Sequence, residues 1–429
     1  MSLNVDNAFV SASSELQCDV ADVVSEAVQR SFLSFPPSSG PLLARAAHIL
    51  YLRGVLESVG GTPTGYDATR VWLTYWSLAG LDALGALEGD GLLEVRRACV
   101  SFLAQCQVAG GGFGGGPQQE AHAASTFAAL ASLALLTRDG GLAIINVPAL
   151  SDFYARLRVV KEEGGEMAVT SSSSDSLRNL SPPFGAFRVT RDGEADVRGA
   201  YCVAAGAALA GIPLLSPLFQ GTATAIAGAL SHEGGAAGEA GGEAHGGYTY
   251  CALAALELLG GGWAADGVDI NNPTRSTVQD AGVDTRATLR WITRRQLVSE
   301  GGFAGRANKV VDACYTFWIG ASAVIAGGGG RGMPAPGARA AWVATETARY
   351  VLRAAQVGSG GFRDKPGKPP DAYHTCYSLA GLALGQWAGG ADPEDERDRL
   401  HDIHPLFGIR PVRLMEAAQF WKERKRESN

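Results

Sequence analysis

The chain has 429 residues, 46% hydrophobic and 18% charged, enough for two ordinary domains or one large closed architecture. Its net charge of −7 argues against the basic footprint of a nucleic-acid binder, so any anionic ligand must meet a local basic pocket. Seven scattered cysteines without a signal-like N-terminus point to free thiols in a reducing, cytoplasmic setting, and the longest nearly uncharged stretch (200–219) carries Pro213 and Pro217, so no membrane span is expected.

In chain order, residues 1–40 read as an N-terminal extension, and "TRVWLTYW" (Thr69–Trp76) opens the first aromatic-rich helix. The 57 glycines then fall in clusters, a sign of internal repeats. "GGGFGGGPQQEAH" (Gly110–His122), "FGAFRVTRDGEADVR" (Phe184–Arg198), "EGGAAGEAGGEAH" (Glu233–His245), "EGGFAGRANKVVD" (Glu300–Asp312) and "SGGFRDKPGKPPDAYH" (Ser359–His374) share one plan. Each is a glycine turn, a polar loop and then a helix that is apolar nearly all round, such as "HGGYTYCALAALELL" or "DACYTFWIGASAVIA". Upstream lie amphipathic segments such as "DTRATLRWITRRQLV" (Asp284–Val298) and "WVATETARYVLRAAQ" (Trp342–Gln356), which suit an outer layer. The pattern predicts an all-α fold, an α-α barrel (toroid) over residues 41–412, with inner and outer helices joined by Gly-rich turns. An open solenoid is the rival, but it would leave one side of the apolar inner helices in water. Insertions near 162–183, 260–284 and 326–337 have linker composition, 413–429 is set apart as a C-terminal tail, and its last nine residues, "WKERKRESN" (Trp421–Asn429), read as solvated.

Aligned on their glycine turns, the inner helices place His122, Arg198, His245, Asp312 and His374 at one first position. Three residues on, one turn deeper on the same face, come Ser125, Tyr201, Tyr248, Tyr315 and Tyr377. Asp caps helices, but His and Arg are poor caps, so the pattern predicts a functional polar mouth above a mainly phenolic layer.

Asp312, Cys314 and His374 bring oxygen, sulfur and nitrogen donors to that mouth. Zinc takes such ligands, and three from the protein leave a fourth position open for catalysis. The plainer reading makes Cys314 an inert buried thiol, Asp312 a cap and His374 a satisfied core histidine. A soft zinc site is suited to binding another thiol and keeping it ionised at neutral pH. Beside it, Arg306, Lys309, His245 and Tyr315 form an anion site suited to a diphosphate leaving group. Asp364, in "RDKPGK", is an isolated carboxylate able to hold magnesium. Trp72, Trp76, Tyr201, Tyr248, Trp318 and Tyr377 would line a funnel below. Such aromatics are usually only core; under an anion site they suit a long apolar chain joined to that anion, as in an isoprenoid diphosphate.

In the blocks "DVRGAYC", "EAHGGYTYC", "EGGFAGRANKVVDACYTFW" and "DKPGKPPDAYHTCY", spread over nearly the whole chain, the sequence resembles the β subunits of protein farnesyltransferases, within the protein prenyltransferase β-subunit family. The resemblance implies an α-α barrel paired with a helical-repeat farnesyltransferase α subunit. It implies transfer of farnesyl from farnesyl diphosphate to the cysteine of C-terminal CaaX motifs, in proteins such as small GTPases. It further implies zinc held by Asp312, Cys314 and His374, with Asp371 supporting the histidine. Diphosphate contacts fall to His245, Arg306, Lys309 and Tyr315, completed by an α-subunit lysine, with magnesium at Asp364. Isoprenoid contacts fall to Trp72, Arg198, Tyr201, Tyr248, Cys251, Trp318 and Tyr377. The peptide would meet Trp72, Trp76 and Tyr373 through its aliphatic residues, and His122, Glu194 and Arg198 near its carboxyl end. Phe127 and Ser125 stand where the family usually has tyrosine and often proline. The geranylgeranyl-transferring β subunits share the fold and zinc site, but carry a smaller residue and a phenylalanine where Trp72 and Tyr377 stand, which predicts a farnesyl donor here. A terpene cyclase is disfavoured because its Asp-x-Asp-Asp cluster is absent, and a catalytically silent barrel that scaffolds the α subunit would hold no zinc.

Overall fold

Two layers of helices alternate along the chain and close on themselves. The computed structural model describes residues 12–34, 42–61, 64–160, 182–262, 278, 281–329 and 341–428, and most of the insertions expected near 162–183, 260–284 and 326–337 lie outside the described residues. Among the described residues there are fourteen α-helices and no extended strand. Helix α1 (Ala12–Ser34) precedes six outer and inner pairs: α2 (Arg45–Ser58) and α3 (Arg70–Ala83), α4 (Leu93–Cys106) and α5 (Ala123–Leu135), α6 (Val147–Leu157) and α7 (Val197–Leu209), α8 (Thr222–Ala227) and α9 (Gly246–Glu257), α10 (Thr285–Thr293) and α11 (Tyr315–Val324), α12 (Ala344–Tyr350) and α13 (Ala372–Trp387). Helix α14 (Pro411–Ser428) follows. Each inner helix packs on the next, and α13 returns to α3, so the ring is closed as the apolar inner helices require.

The repeat works through fixed spacings. Nine residues after the buried residue of each turn, Phe113, Phe187, Ala236, Phe303 or Phe362, stands a capping side chain: His122, Asp196, His245, Asp312 or Asp371. Four of these residues donate their backbone N–H to the turn carbonyl, at 3.0–3.1 Å. Thirteen residues on, Thr126, Thr249 and Thr375 accept the turn N–H at 2.9 Å. Neighbouring repeats are then stitched together. The residue after each of the first four caps gives its N–H to the next turn: Ala123 to Val189, Val197 to Gly238, Gly246 to Gly305 and Ala313 to Asp364, at 2.7–3.1 Å, and Val71 in the first turn of α3 makes the matching bond to Gly115.

This register corrects two expectations. Arg198 and His374 are not equivalent to His122; Asp196 and Asp371 are. The two mouth histidines are also caps, since Nδ1 of His122 accepts the Ala124 N–H and Nδ1 of His245 accepts the Gly247 N–H, at 3.0 and 3.1 Å. An imidazole nitrogen carrying no proton is an acceptor like a cap oxygen, which the usual residue preferences overlook.

Each turn also packs on the next outer helix. Gly111 (φ +96°) has no room for a Cβ, which would lie 1.8 Å from Ala149 O of α6. Gly360 (φ +113°) meets Ala47 O of α2 in the same way, so the fifth turn closes the outer layer onto its first helix. His48 fastens this joint: Nδ1 accepts the Gly361 N–H at 2.9 Å, Nε2 pairs with Gln356 Oε1 at 2.8 Å, and the ring stacks on Phe362.

The end away from the mouth is covered by the segment before α14. His401 N–H bonds to Ala83 O at the end of α3, and the Leu406 and Phe407 carbonyls accept the Tyr201 and Tyr75 hydroxyls at 2.9 and 3.3 Å. The expected tail at 413–429 is mostly helix α14, and its first half is anchored to the barrel. Arg413 reaches the buried Asp82 of α3 at 2.8 Å, Leu414 and Ala417 are buried, and Trp421 Nε1 donates to Leu209 O at 2.8 Å. Trp421, which opens the stretch expected to be solvated, is buried, whereas residues 422–427 are exposed. In the N-terminal extension, α1 buries Val24 and Val28 against the α12 region.

Burial lowers the pKa of His48 and of His404 from 6.5 to about 4. The unfolded chain therefore takes up these protons near pH 6.5 and the folded chain only near 4. The contribution of these two histidines should be constant above pH 7 and fall as the pH drops from 6.5 towards 4, by at most roughly 3 kcal/mol per histidine. Thermal melts across that range check this, and a His48→Asn variant should be less stable at pH 7.5 but show a shallower decline.

Candidate functional site

The structure brings Asp312, Cys314 and His374 together, with one donor atom from each within 4.8 Å of the others. Asp312 sits at the turn before α11 because its Oδ1 accepts the Cys314 N–H at 2.9 Å, which also aims the thiol to the same side. His374 lies in the first turn of α13, where Asp371 accepts its backbone N–H at 2.8 Å and its ring Nδ1–H at 2.6 Å. That bond leaves Nε2 as the free donor atom, 3.2 Å from Asp312 Oδ1, and this buried nitrogen makes no directed hydrogen bond. Burial alone would raise the Asp312 pKa, but His374 and the Cys314 N–H hold it below the usual carboxylate range. Burial would lower the His374 pKa, but Asp312 and Asp371 outweigh it and raise it to about 9. Burial, then the Asp312 charge, push the Cys314 thiol well up. The centre is thus electron-rich around an orphaned nitrogen, and it favours a cation. The residues fit a zinc ion: three donors of the right types with the histidine oriented by a carboxylate.

Next to it is an anion pocket. His245 Nδ1 is committed to the cap, so Nε2 carries the proton and donates to the Tyr315 hydroxyl, 3.0 Å away. The Tyr315 O–H is then free to donate to a ligand. Burial, then Arg306, lower the His245 pKa, in keeping with the neutral tautomer. Arg306 stands on the same turn, paired with Glu243 at 2.6 Å, and Lys309 is exposed three residues on. Gly305 makes the approach possible, because a Cβ there would lie 2.1 Å from the Tyr315 ring.

Below the mouth, aromatic rings form a continuous circuit. Trp72, Phe127, Tyr201, Tyr250, Trp318, Tyr377, Tyr373 and Trp76 follow one another at centroid separations of 4.2–6.4 Å, and Trp76 returns to Trp72 at 5.4 Å. Trp318 Nε1 donates to the Tyr373 hydroxyl, and Tyr201 and Tyr250 share a hydroxyl contact at 3.0 Å. The Leu406–Phe407 peptides beneath bound its depth.

Of the residues expected to contact an isoprenoid, Trp72, Tyr201, Trp318 and Tyr377 are in the circuit. Arg198 and Tyr248 sit at the rim, stacked at 5.5 Å, and Cys251 is buried on α9. Of the expected peptide contacts, Trp72, Trp76 and Tyr373 are in the circuit, while His122, Glu194 and Arg198 cluster at the rim, where Arg198 pairs with Asp196 and Glu194 at 2.5 and 3.2 Å. Asp364 lies beside the metal centre through the bond from Ala313. The sequence reading passed over Tyr250, Asp196, Glu243 and Lys365. The constant nine-residue spacing from turn to cap was the signal for Asp196, and it shifts the phenolic face towards Tyr250.

Fold and site together define an α-α barrel that carries at one mouth a three-donor cluster able to hold a metal, a group of cationic and phenolic side chains and a circuit of aromatic rings. A sequence model of the prenyltransferase alpha-alpha toroid domain matches residues 43–409. The chain is 35% identical to the protein farnesyltransferase subunit beta of Schizosaccharomyces pombe, over 78% of this chain and 76% of the relative. It is 30% identical to the geranylgeranyl transferase type-1 subunit beta of Arabidopsis thaliana, over 79% of this chain and 84% of the relative. The solved structure of Candida albicans protein geranylgeranyltransferase-I complexed with GGPP is 20% identical and has a TM-score of 0.65 over 87% of this chain and 98% of that one, a likeness of fold. The chain belongs to the family of protein prenyltransferase β subunits. All seven cysteines are free, and among the described residues no helix is long and apolar enough to cross a membrane.

Because Asp371 orients His374, an Asp371→Ala variant should weaken zinc affinity about 10–100-fold, measured by competition with a chromogenic chelator. Unchanged affinity would remove Asp371 from the centre.

Proposed function

We propose that this chain is the β subunit of a protein farnesyltransferase, moving farnesyl from farnesyl diphosphate to the cysteine of C-terminal CaaX motifs. The observation that carries it is the meeting of three features within one mouth: the Asp312, Cys314 and His374 donors, the cationic and phenolic pocket, and the closed aromatic well. Zinc held by those three residues would supply a Lewis acid that keeps the acceptor thiol ionised at neutral pH.

The chain's own residues do the rest. Tyr315, with its proton freed by the His245 tautomer, donates to a diphosphate oxygen, and Arg306 and Lys309 balance the charge that grows as the carbon–oxygen bond breaks. A magnesium ion, fitting the unpartnered Asp364 Oδ1, would add charge at the same point. The acceptor sulfur displaces diphosphate from the first isoprenoid carbon, so a carbon–sulfur bond forms as the carbon–oxygen bond is lost. The aromatic circuit buries the isoprenoid. Trp76 and Tyr373 flank the peptide, and His122, Glu194 and Arg198 meet its carboxyl end. A helical-repeat α subunit completes the pocket with a lysine, and the free thiols are in keeping with a reducing, cytoplasmic setting.

A geranylgeranyl donor is the second reading, since a relative of that kind is about as similar as several others. Trp72 and Tyr377 favour the shorter chain because both narrow the circuit. Co-expressed with an α subunit, the chain should carry zinc and label CaaX peptides with farnesyl in preference to geranylgeranyl. Cys314→Ala should lose the zinc and most turnover, and Trp72→Ala should shift the donor ratio towards geranylgeranyl by about tenfold or more. A wild type that prefers geranylgeranyl with matched peptides would overturn the donor assignment; full turnover by a zinc-free Cys314→Ala complex would overturn the mechanism.

A further inference from the structure

We propose that Lys365 is a positioning residue that makes divalent-cation binding at Asp364 conditional on the diphosphate. The inference rests on the prenyltransferase reading above, but its observations are separate from those that carry that reading. Lys365 Nζ lies 2.6 Å from Asp364 Oδ2, and the two side chains are only 18% and 20% exposed. Asp364 Oδ1 is buried and has no hydrogen-bond partner. The carboxylate is therefore split: one oxygen is neutralised by its sequence neighbour, and the other is orphaned.

The main chain holds this split in place. The Asp364 carbonyl accepts the Ala313 N–H at 2.9 Å and the Tyr350 hydroxyl at 2.6 Å. Ala313 stands between Asp312 and Cys314, so the backbone that carries the carboxylate cannot retreat without breaking a stitch of the mouth.

An orphaned buried acceptor is unfavourable, and a cation at Oδ1 would relieve it. The Lys365 ammonium works the other way. It cancels much of the carboxylate charge and repels an incoming ion at close range. Magnesium is ordinarily held by one or two carboxylates together with substrate phosphates. With Lys365 in place, Asp364 alone is too weak a ligand, and the phosphate oxygens must supply the remaining attraction. The ion then joins where and when the diphosphate is bound, and it leaves with the product.

The test uses the zinc-loaded complex with its α subunit, as wild type, Lys365→Met and Lys365→Arg. Manganese binding is read by electron paramagnetic resonance with and without inorganic pyrophosphate, beside zinc content and the magnesium dependence of farnesyl transfer. Lys365→Met should bind manganese about tenfold more tightly, most clearly without pyrophosphate, since a repelling unit charge has been removed at contact range. Its magnesium half-saturation should fall in parallel, with zinc content unchanged. Lys365→Arg, which keeps the charge, should behave as wild type and shows that the effect is not one of folding. Manganese affinity that is unchanged or weaker in Lys365→Met overturns the proposal. So does a large loss of metal-free pyrophosphate affinity without tighter manganese, which would make Lys365 a direct anion ligand. If wild type transfers no isoprenoid while the manganese shift is present, the functional reading falls and the Lys365 assignment stands.

Discussion

The arrangement depends on one repeated hydrogen bond, in which an N–H at the start of an inner helix reaches the carbonyl two residues past the buried position of the next turn. Five such bonds, from Val71, Ala123, Val197, Gly246 and Ala313, hold successive repeats at fixed spacing around one end of the barrel. Each satisfies a helix N-terminal N–H that has no partner inside its own helix. Because the donors flank the caps, the stitches also fix the cap side chains around a single opening. The last of them joins Ala313 to Asp364 and so brings the turn carrying Asp364 and Lys365 up against Asp312 and Cys314. The site is assembled by the same bonds that set the register of the barrel.

Caps doing double duty follow from this. A helix N-terminus needs an acceptor, and at the mouth that acceptor is a carboxylate or an unprotonated ring nitrogen. Once His245 Nδ1 is spent on the Gly247 N–H, its remaining proton must be on Nε2, and the Tyr315 hydroxyl receives it. Asp371 spends one oxygen on the start of α13 and the other on the His374 ring, which fixes the nitrogen left for a metal. Asp312 caps through Oδ1, and its charge is felt by both Cys314 and His374. The chemistry of the mouth is therefore set by backbone needs common to every repeat, with residue type deciding which repeat carries which function.

Much of this was legible in the sequence. Apolar inner helices after glycine turns implied closure, and the three metal donors, Tyr315, His245 and most of the aromatic circuit were picked out by type and position. The register was the weak point. Counting from the glycines aligned His374 with His122, because the loop "RDKPGKPPDAYH" places Asp371 three residues earlier, and glycine runs are a blurred ruler. The buried turn residue and the threonine four after the cap are sharper, being tied by backbone bonds. Tyr250 was missed for the same reason, since Tyr248 occupied the assumed face. The anchoring of α14 was hidden because Arg413 and Trp421 read as polar-segment residues until Asp82 and the Leu209 carbonyl, far away in sequence, were seen to receive them.

The charge of the mouth resolves an apparent conflict between an acidic chain and an anionic ligand. Three of its cations are paired. Arg306 is paired with Glu243, Arg198 with Asp196 and Glu194, and Lys365 with Asp364. These pairs are half-exposed or more deeply set, and at such positions an ion pair contributes little net stability. On the proposed function, a diphosphate would compete with Glu243 for the Arg306 guanidinium and so exchange one partner for another. When the anion leaves, the carboxylates take its place. A pocket balanced in this way avoids the repulsion that a bare cationic cluster would suffer when empty, and it holds the departing group less tightly after the chemistry than bare cations would. On the proposed function, affinity for the anion would then depend on how strongly Glu243 competes for Arg306.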